Sequence, residues 1–182
     1  MTQYIEQYDA YCSQVATIAT LKNVSIGGTL DVTGATAFTG AVTFSSTILF
    51  KRLTENVTAT NVILAAETGS VFFLNSATEF VSTLPAPAAG LHFSFIVKAA
   101  PSGASYTIVT ASSSNIILGQ VYSSDLNAAS DGDFETSGGD TISFVDSKSV
   151  VGDRVDVICD GTNWYAYGFC SVFDAITITT AS

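Results

Sequence analysis

Between Val24 and Ser46 apolar and polar positions alternate with a period of two. The even positions carry Val24, Ile26, Leu30, Val32, Phe38, Val42 and Phe44, while the odd positions carry only Ser, Thr, Ala, Gly and Asp. Such alternation marks an extended β-chain with one face turned inward. Glycine recurs on the apolar face at every sixth residue, as Gly28, Gly34 and Gly40. One isolated strand of this kind has nothing against which to bury its apolar face, and its backbone donors and acceptors stay unpaired. Three six-residue units are short for a free-standing solenoid. Regularly missing side chains instead let several backbones approach one axis. The pattern predicts an intertwined, trimeric β-shaft whose interface is formed by Leu30, Val32, Gly34, Phe38, Gly40, Val42 and Phe44. An ordinary strand pair turning near Gly34 is the alternative.

Upstream the period changes. Met1, Tyr4, Tyr8, Tyr11, Val15 and Ile18 are spaced alternately three and four residues apart, an a/d seam over about two and a half heptads. A helix this short does not persist alone in water. Residues 1–22 are read either as a short helix packed on copies of itself or another protein, or as an extended arm laying its tyrosines along a partner. In both readings Tyr4, Tyr8, Tyr11, Val15 and Ile18 form an N-terminal docking or trimerisation segment. Residues 23–60 are assigned to the shaft and its junction, which holds the basic pair Lys51-Arg52.

Residues 61–182 read as a β-domain. Candidate strands are Asn61–Leu64, Val71–Leu74, Glu79–Thr83, His92–Val97, Tyr106–Thr110, Ile116–Leu118, Thr141–Val145, Val155–Cys159, Trp164–Phe169 and Ala175–Thr179, separated by turn signals. The expected architecture is an antiparallel β-sandwich or a barrel-like domain. Asp160-Gly161-Thr162-Asn163 is the sharpest turn and should close an antiparallel hairpin, with Trp164 and Tyr165 on opposite faces. In that register Cys159 faces Trp164, and Cys170 lies about 20 Å further along the hairpin, too far for a disulfide. Residues 123–140 are polar and glycine-rich and read as a long exposed excursion.

Composition narrows the function. Only 12% of residues are charged, the 182-residue chain has a net charge of −10, and its six basic residues form no patch, so nucleic-acid binding is not expected. No run of roughly 18 apolar residues predicts a membrane span, and the first twelve residues carry no basic charge of the kind that opens a secretory signal. Cys12, Cys159 and Cys170 lack metal-ligand spacing, and an odd number suggests free thiols from a reducing compartment.

Candidate chemistry is sparse. His92 is the single histidine, stands in an apolar strand, and is read as structural or surface-exposed. No Gly-x-Ser-x-Gly turn accompanies it. Asp131-Gly132-Asp133-Phe134-Glu135 resembles a calcium loop superficially, but Thr136 replaces the required glycine and Ile142 the bidentate glutamate. No catalytic residue, cofactor or metal site is assigned, and a non-enzymatic protein is expected. Trp164 and Tyr165 are the aromatic residues that a sugar-binding reading would use.

Two stretches carry a resemblance. Residues 27–44, GGTLDVTGATAFTGAVTF, resemble shaft repeats of tailed-bacteriophage fibre and spike proteins. Thr83-Leu84-Pro85, Ala88 through Val97, Gly152 through Val157 and Asp160 through Tyr165 are similar to a small β-domain of virion proteins from marine and cyanobacterial phages. The resemblance implies a homotrimeric structural component of the virion surface, synthesised in the host cytoplasm and docked on phage capsid or tail proteins. Capsid decoration or cementing is the leading expectation. A short tail fibre or receptor-binding spike is the alternative, and a host-glycan lectin or depolymerase a third.

Overall fold

A computed structural model describes residues 37, 39–43, 51–76, 78–125 and 132–180. The chain divides into two compact units, Met1–Ile48 and Leu49–Ser182. In the first unit only Ala37 and residues 39–43 are described. They are exposed and outside any strand of the single chain, Gly40 and Val42 included. The other shaft positions, Leu30, Val32, Gly34, Phe38 and Phe44, and the docking residues Tyr4, Tyr8, Tyr11, Val15 and Ile18 lie outside the described residues.

The second unit is all-β. Its strands are β1 (Thr54–Val57), β2 (Asn61–Val62), β3 (Val71–Leu74), β4 (Phe80–Thr83), β5 (His92–Val97) and β6 (Tyr106–Val109), followed by β7 (Ile117–Ser123), β8 (Gly132–Gly139), β9 (Thr141–Phe144), β10 (Arg154–Cys159), β11 (Trp164–Cys170) and β12 (Ile176–Thr179). A 3-10 turn at Ala65–Glu67 is the only helical element among the described residues, and no helix there is long and apolar enough to cross a membrane. One sheet has the order β1-β3-β5-β10-β11-β7-β8 and the other β12-β9-β6-β4-β2.

Both sheets are mixed, which corrects the expected antiparallel arrangement. The pairs β1/β3, β3/β5, β2/β4, β4/β6 and β7/β11 are parallel. From β1 to β6 the chain steps into the opposite sheet after every strand. Sheet neighbours are therefore next-but-one strands running in the same direction. Parallel neighbours need a crossover connection, and a strand of the other sheet supplies it. The turns between β1 and β6 are these steps between sheets, whereas Asp160–Asn163 closes the expected antiparallel β10–β11 hairpin within one sheet.

Two further strands correct the reading. Thr54–Val57 lies in the stretch assigned to the junction, yet pairs with Val71–Leu74. Residues 123–140 are not all excursion, because β8 pairs antiparallel with a longer β7, with a register shift between Ile117 and Gly119. Gly119 permits that irregularity. Its φ is +141°, and a Cβ there would stand 1.9 Å from the Ala166 carbonyl oxygen, so the position accepts no side chain.

One buried cluster draws on both sheets. Phe72 stacks on Phe95 with ring centroids 5.4 Å apart, and Phe93 lies 5.8 Å from Trp164. In the second sheet Phe80 stacks on Tyr106 at 4.4 Å. The Tyr106 hydroxyl reaches the carbonyl oxygens of Ser76 at 2.6 Å and Ala99 at 3.0 Å, so this buried phenol is not left unsatisfied.

Asp153 shows what the Gly152-Asp153-Arg154 motif does. Its buried carboxylate accepts hydrogen bonds from Ser149 Oγ at 3.1 Å, Val150 N at 3.0 Å and Ser171 N at 2.9 Å. The motif fastens the loop before β10 to the end of β11, a structural role.

Candidate binding face

The outer face of the seven-stranded sheet is built by alternation. In β11, Trp164, Ala166, Gly168 and Cys170 point into the core, and Tyr165, Tyr167 and Phe169 point out. Their exposures are 43%, 59% and 51%, large values for three aromatic rings on one strand. Cross-strand register sets their neighbours. Tyr165 pairs with Ile158 on β10, which pairs with His92 on β5. In the next outward row Tyr167 pairs with Asp156, which pairs with Ser94. On the other flank Tyr167 pairs with Gln120 and Phe169 with Tyr122, both on β7.

A depression of about 340 Å³ opens between these rows, within the usual range for small-ligand sites. Arg52, His92, Ser94, Asp156, Ile158, Tyr165 and Tyr167 contribute to its walls. Its polar side is a connected network. Arg52 Nε donates to the Gly69 carbonyl at 2.8 Å, and Nη2 donates to Ser94 Oγ at 3.0 Å and the Ser70 carbonyl at 3.4 Å. Ser94 Oγ in turn donates to Asp156 Oδ1, whose other oxygen accepts from Arg154 Nη2 at 2.6 Å. The half-exposed Arg154–Asp156 pair adds little stability, but it neutralises the one carboxylate in the depression.

The tyrosines are tied at their hydroxyl ends. Tyr165 donates to Asp160 Oδ2 at 3.0 Å, and Tyr122 donates to Gln120 Oε1 at 2.5 Å. Tyr122 and Tyr167 sit with ring centroids 5.9 Å apart. Asp160 also accepts from Thr162 N at 2.7 Å and Asn163 N at 2.8 Å, closing the expected β10–β11 turn around Gly161, whose φ is +107°. These two backbone donors, Asn163 first, hold the Asp160 carboxyl below its ordinary value, and the hydrogen bond and charge of Asp160 push the Tyr165 phenol up.

A pH dependence follows from these shifts. A carboxyl held low in the fold contributes stability above its ordinary value of 3.8 and loses it as pH falls through the folded value. A phenol held high contributes below its ordinary value of 10.0 and loses it as pH rises through the folded value. Asp160→Asn should therefore melt below wild type at neutral pH, with the gap narrowing over the acid window that opens near pH 3.8 and extends below it. A gap that stays constant across that window in thermal melts would refute this account of the turn.

Trp164 is fully buried, so it is no sugar platform, whereas Tyr165 is available. His92 is exposed at the rim, its Nδ1 3.3 Å from the Gly90 carbonyl oxygen and 3.5 Å from Thr68 Oγ1, which fits the surface reading. Cys159 and Cys170 are free and buried, as the register argument requires, and burial raises the Cys170 thiol above its ordinary value. Sequence reasoning missed Arg52, Tyr167 and Phe169. The signal was present in Trp164-Tyr165-Ala166-Tyr167-Gly168-Phe169: once Trp164 is placed inside, every alternate aromatic must face out.

Two further acidic groups come together away from the residues that line this depression. Glu55 and Glu67 approach each other, and burial followed by the charge of Glu67 raises the Glu55 carboxyl. Glu67 Oε2 is already engaged by Leu64 N at 2.6 Å. Among the described residues no group of three or more His, Cys, Asp or Glu side chains is placed to hold a metal ion. No protein-family model, curated protein or solved structure matches this chain.

Proposed function

We propose that this chain is a non-enzymatic structural protein of a tailed-phage virion: a homotrimer in which an intertwined β-shaft carries a sandwich-like domain on the particle surface. The observation that carries the proposal is the six-residue glycine repeat with an apolar face, from Gly28 to Phe44, followed by a separate all-β unit. Val42, an inward position of the repeat, is exposed in the single chain, as a shaft completed by other copies requires. The assigned task is capsid decoration or cementing, because three shaft units are short for a fibre and a trimer suits a local threefold position on an icosahedral shell.

A short tail fibre or receptor-binding spike is the second reading, favoured by the exposed aromatic face and its depression. Immunogold labelling of phage particles separates the two. Label over the head supports decoration. Label confined to the tail overturns it in favour of the fibre, and absence of the protein from purified particles overturns both.

A further inference from the structure

We propose that the depression on the outer face of the seven-stranded sheet binds an acidic saccharide, one ring stacking on the β11 tyrosines and a uronate carboxylate meeting Arg52. This inference stands on the site itself, whether the protein sits on the head or on the tail.

The first argument is charge. In a chain of net charge −10, Arg52 is held at the depression by three hydrogen bonds, none to a carboxylate. The two salt bridges among the described residues are Lys148–Asp174 and Arg154–Asp156. Asp156 is shared between Ser94 and Arg154. Arg52 is thus an oriented cation with no carboxylate bonded to it directly: Asp156 is reached only through Ser94 and is already paired with Arg154, so Nη1 is left to meet an incoming carboxylate.

The second argument is the shape and stiffness of the apolar side. Tyr165 and Tyr167 present exposed rings beside Ile158, and Tyr165 is pinned through its hydroxyl to Asp160. A fixed ring loses little freedom when a ligand stacks on it. The C–H faces of a pyranose suit such rings, while its hydroxyls need polar partners close by. Asp156, half-exposed in the same cross-strand row as Tyr167, provides one, and the buried Ser94 holds it in place. From Tyr167 to Ser94 the row crosses two inter-strand spacings, about 10 Å, the length of a disaccharide. A purely apolar partner surface would leave Arg52 and Asp156 desolvated without new bonds, a costly arrangement.

The test is isothermal titration of the full-length protein with oligogalacturonate and alginate oligosaccharides, with maltohexaose as the neutral control. At least one acidic oligosaccharide should bind ten-fold or more tightly than maltohexaose. Tyr167→Ala should weaken that binding at least ten-fold without lowering the melting temperature, since the ring is exposed. Arg52→Gln should erase the preference for acid over neutral sugar, and Arg52→Lys should restore part of it. The proposal is overturned if no acidic oligosaccharide binds, if acidic and neutral sugars bind alike, or if Tyr167→Ala leaves binding unchanged. A fall in oligomer mass on Tyr167→Ala would also overturn it, because another copy of the chain would then cover this face. Failure on any of these points leaves particle labelling as a separate test of the structural role.

Discussion

Trp164→Ala is expected to destabilise the β-domain by about 3–5 kcal/mol, the usual cost of emptying a fully buried aromatic site. That corresponds to a fall in melting temperature on the order of 10 °C for a chain of this size. Trp164 is fully buried at the first position of β11, in register with Cys159 across the hairpin and Ile117 on the parallel side. Its ring lies 5.8 Å from Phe93. Backbone on both flanks limits collapse of the site, so a cavity should remain. The indole Nε1 is buried with no hydrogen-bond partner. Trp164→Phe removes that unpaired donor along with some volume and should cost much less than the alanine. Urea denaturation followed by far-ultraviolet circular dichroism reads both variants. Tyr167→Ala, three residues along and on the opposite face, should leave the midpoint nearly unchanged. A wild-type midpoint for Trp164→Ala would mean that the β11 alternation is inverted and the whole outer face wrongly assigned.

The contrast between Trp164 and Tyr167 shows what the sequence discloses. The β10–β11 hairpin is legible because its information is local: Asp160-Gly161-Thr162-Asn163 fixes the turn, and the turn fixes the register. His92–Val97 and Val71–Leu74 are legible from runs of β-branched and aromatic residues. Thr54–Val57 and Gly132–Gly139 are not, because TENV and GDFETSGG lack apolar alternation and gain their ladders from neighbours distant in sequence. The parallel pairings are hidden for a related reason. Nothing within β3 says that its partner is β5 and not β4. That choice follows from burying Phe72, Phe93 and Phe95 beneath one sheet and Phe80 and Tyr106 beneath the other. The candidate site was legible in part. Its aromatic wall is written in the alternation of β11, but Arg52 reaches it from the junction through contacts with Gly69, Ser70 and Ser94, which no local pattern records.

Phe38→Asp is expected to abolish trimer formation while sparing the β-domain. In the proposed shaft Phe38 faces an axis shared by three chains, so the substitution gathers three carboxylates in an apolar setting. Desolvation and like-charge repulsion both oppose ionisation there. The alternative to protonating all three is to leave the assembly, and at neutral pH separation is the cheaper outcome. Light scattering should report three times the chain mass for wild type and a single chain for the variant. The domain supplies its own control, because every described member of the buried core lies between Val57 and Ile178. The variant should therefore keep the near-ultraviolet signal of Trp164 and a cooperative unfolding transition. Its trimer should return in part at acidic pH, where protonation removes the repulsion but leaves the lost apolar contacts unreplaced. A wild-type protein that is monomeric at micromolar concentration, or a Phe38→Asp protein that remains a trimer at neutral pH, would remove the shaft and with it the proposed mode of assembly on the particle.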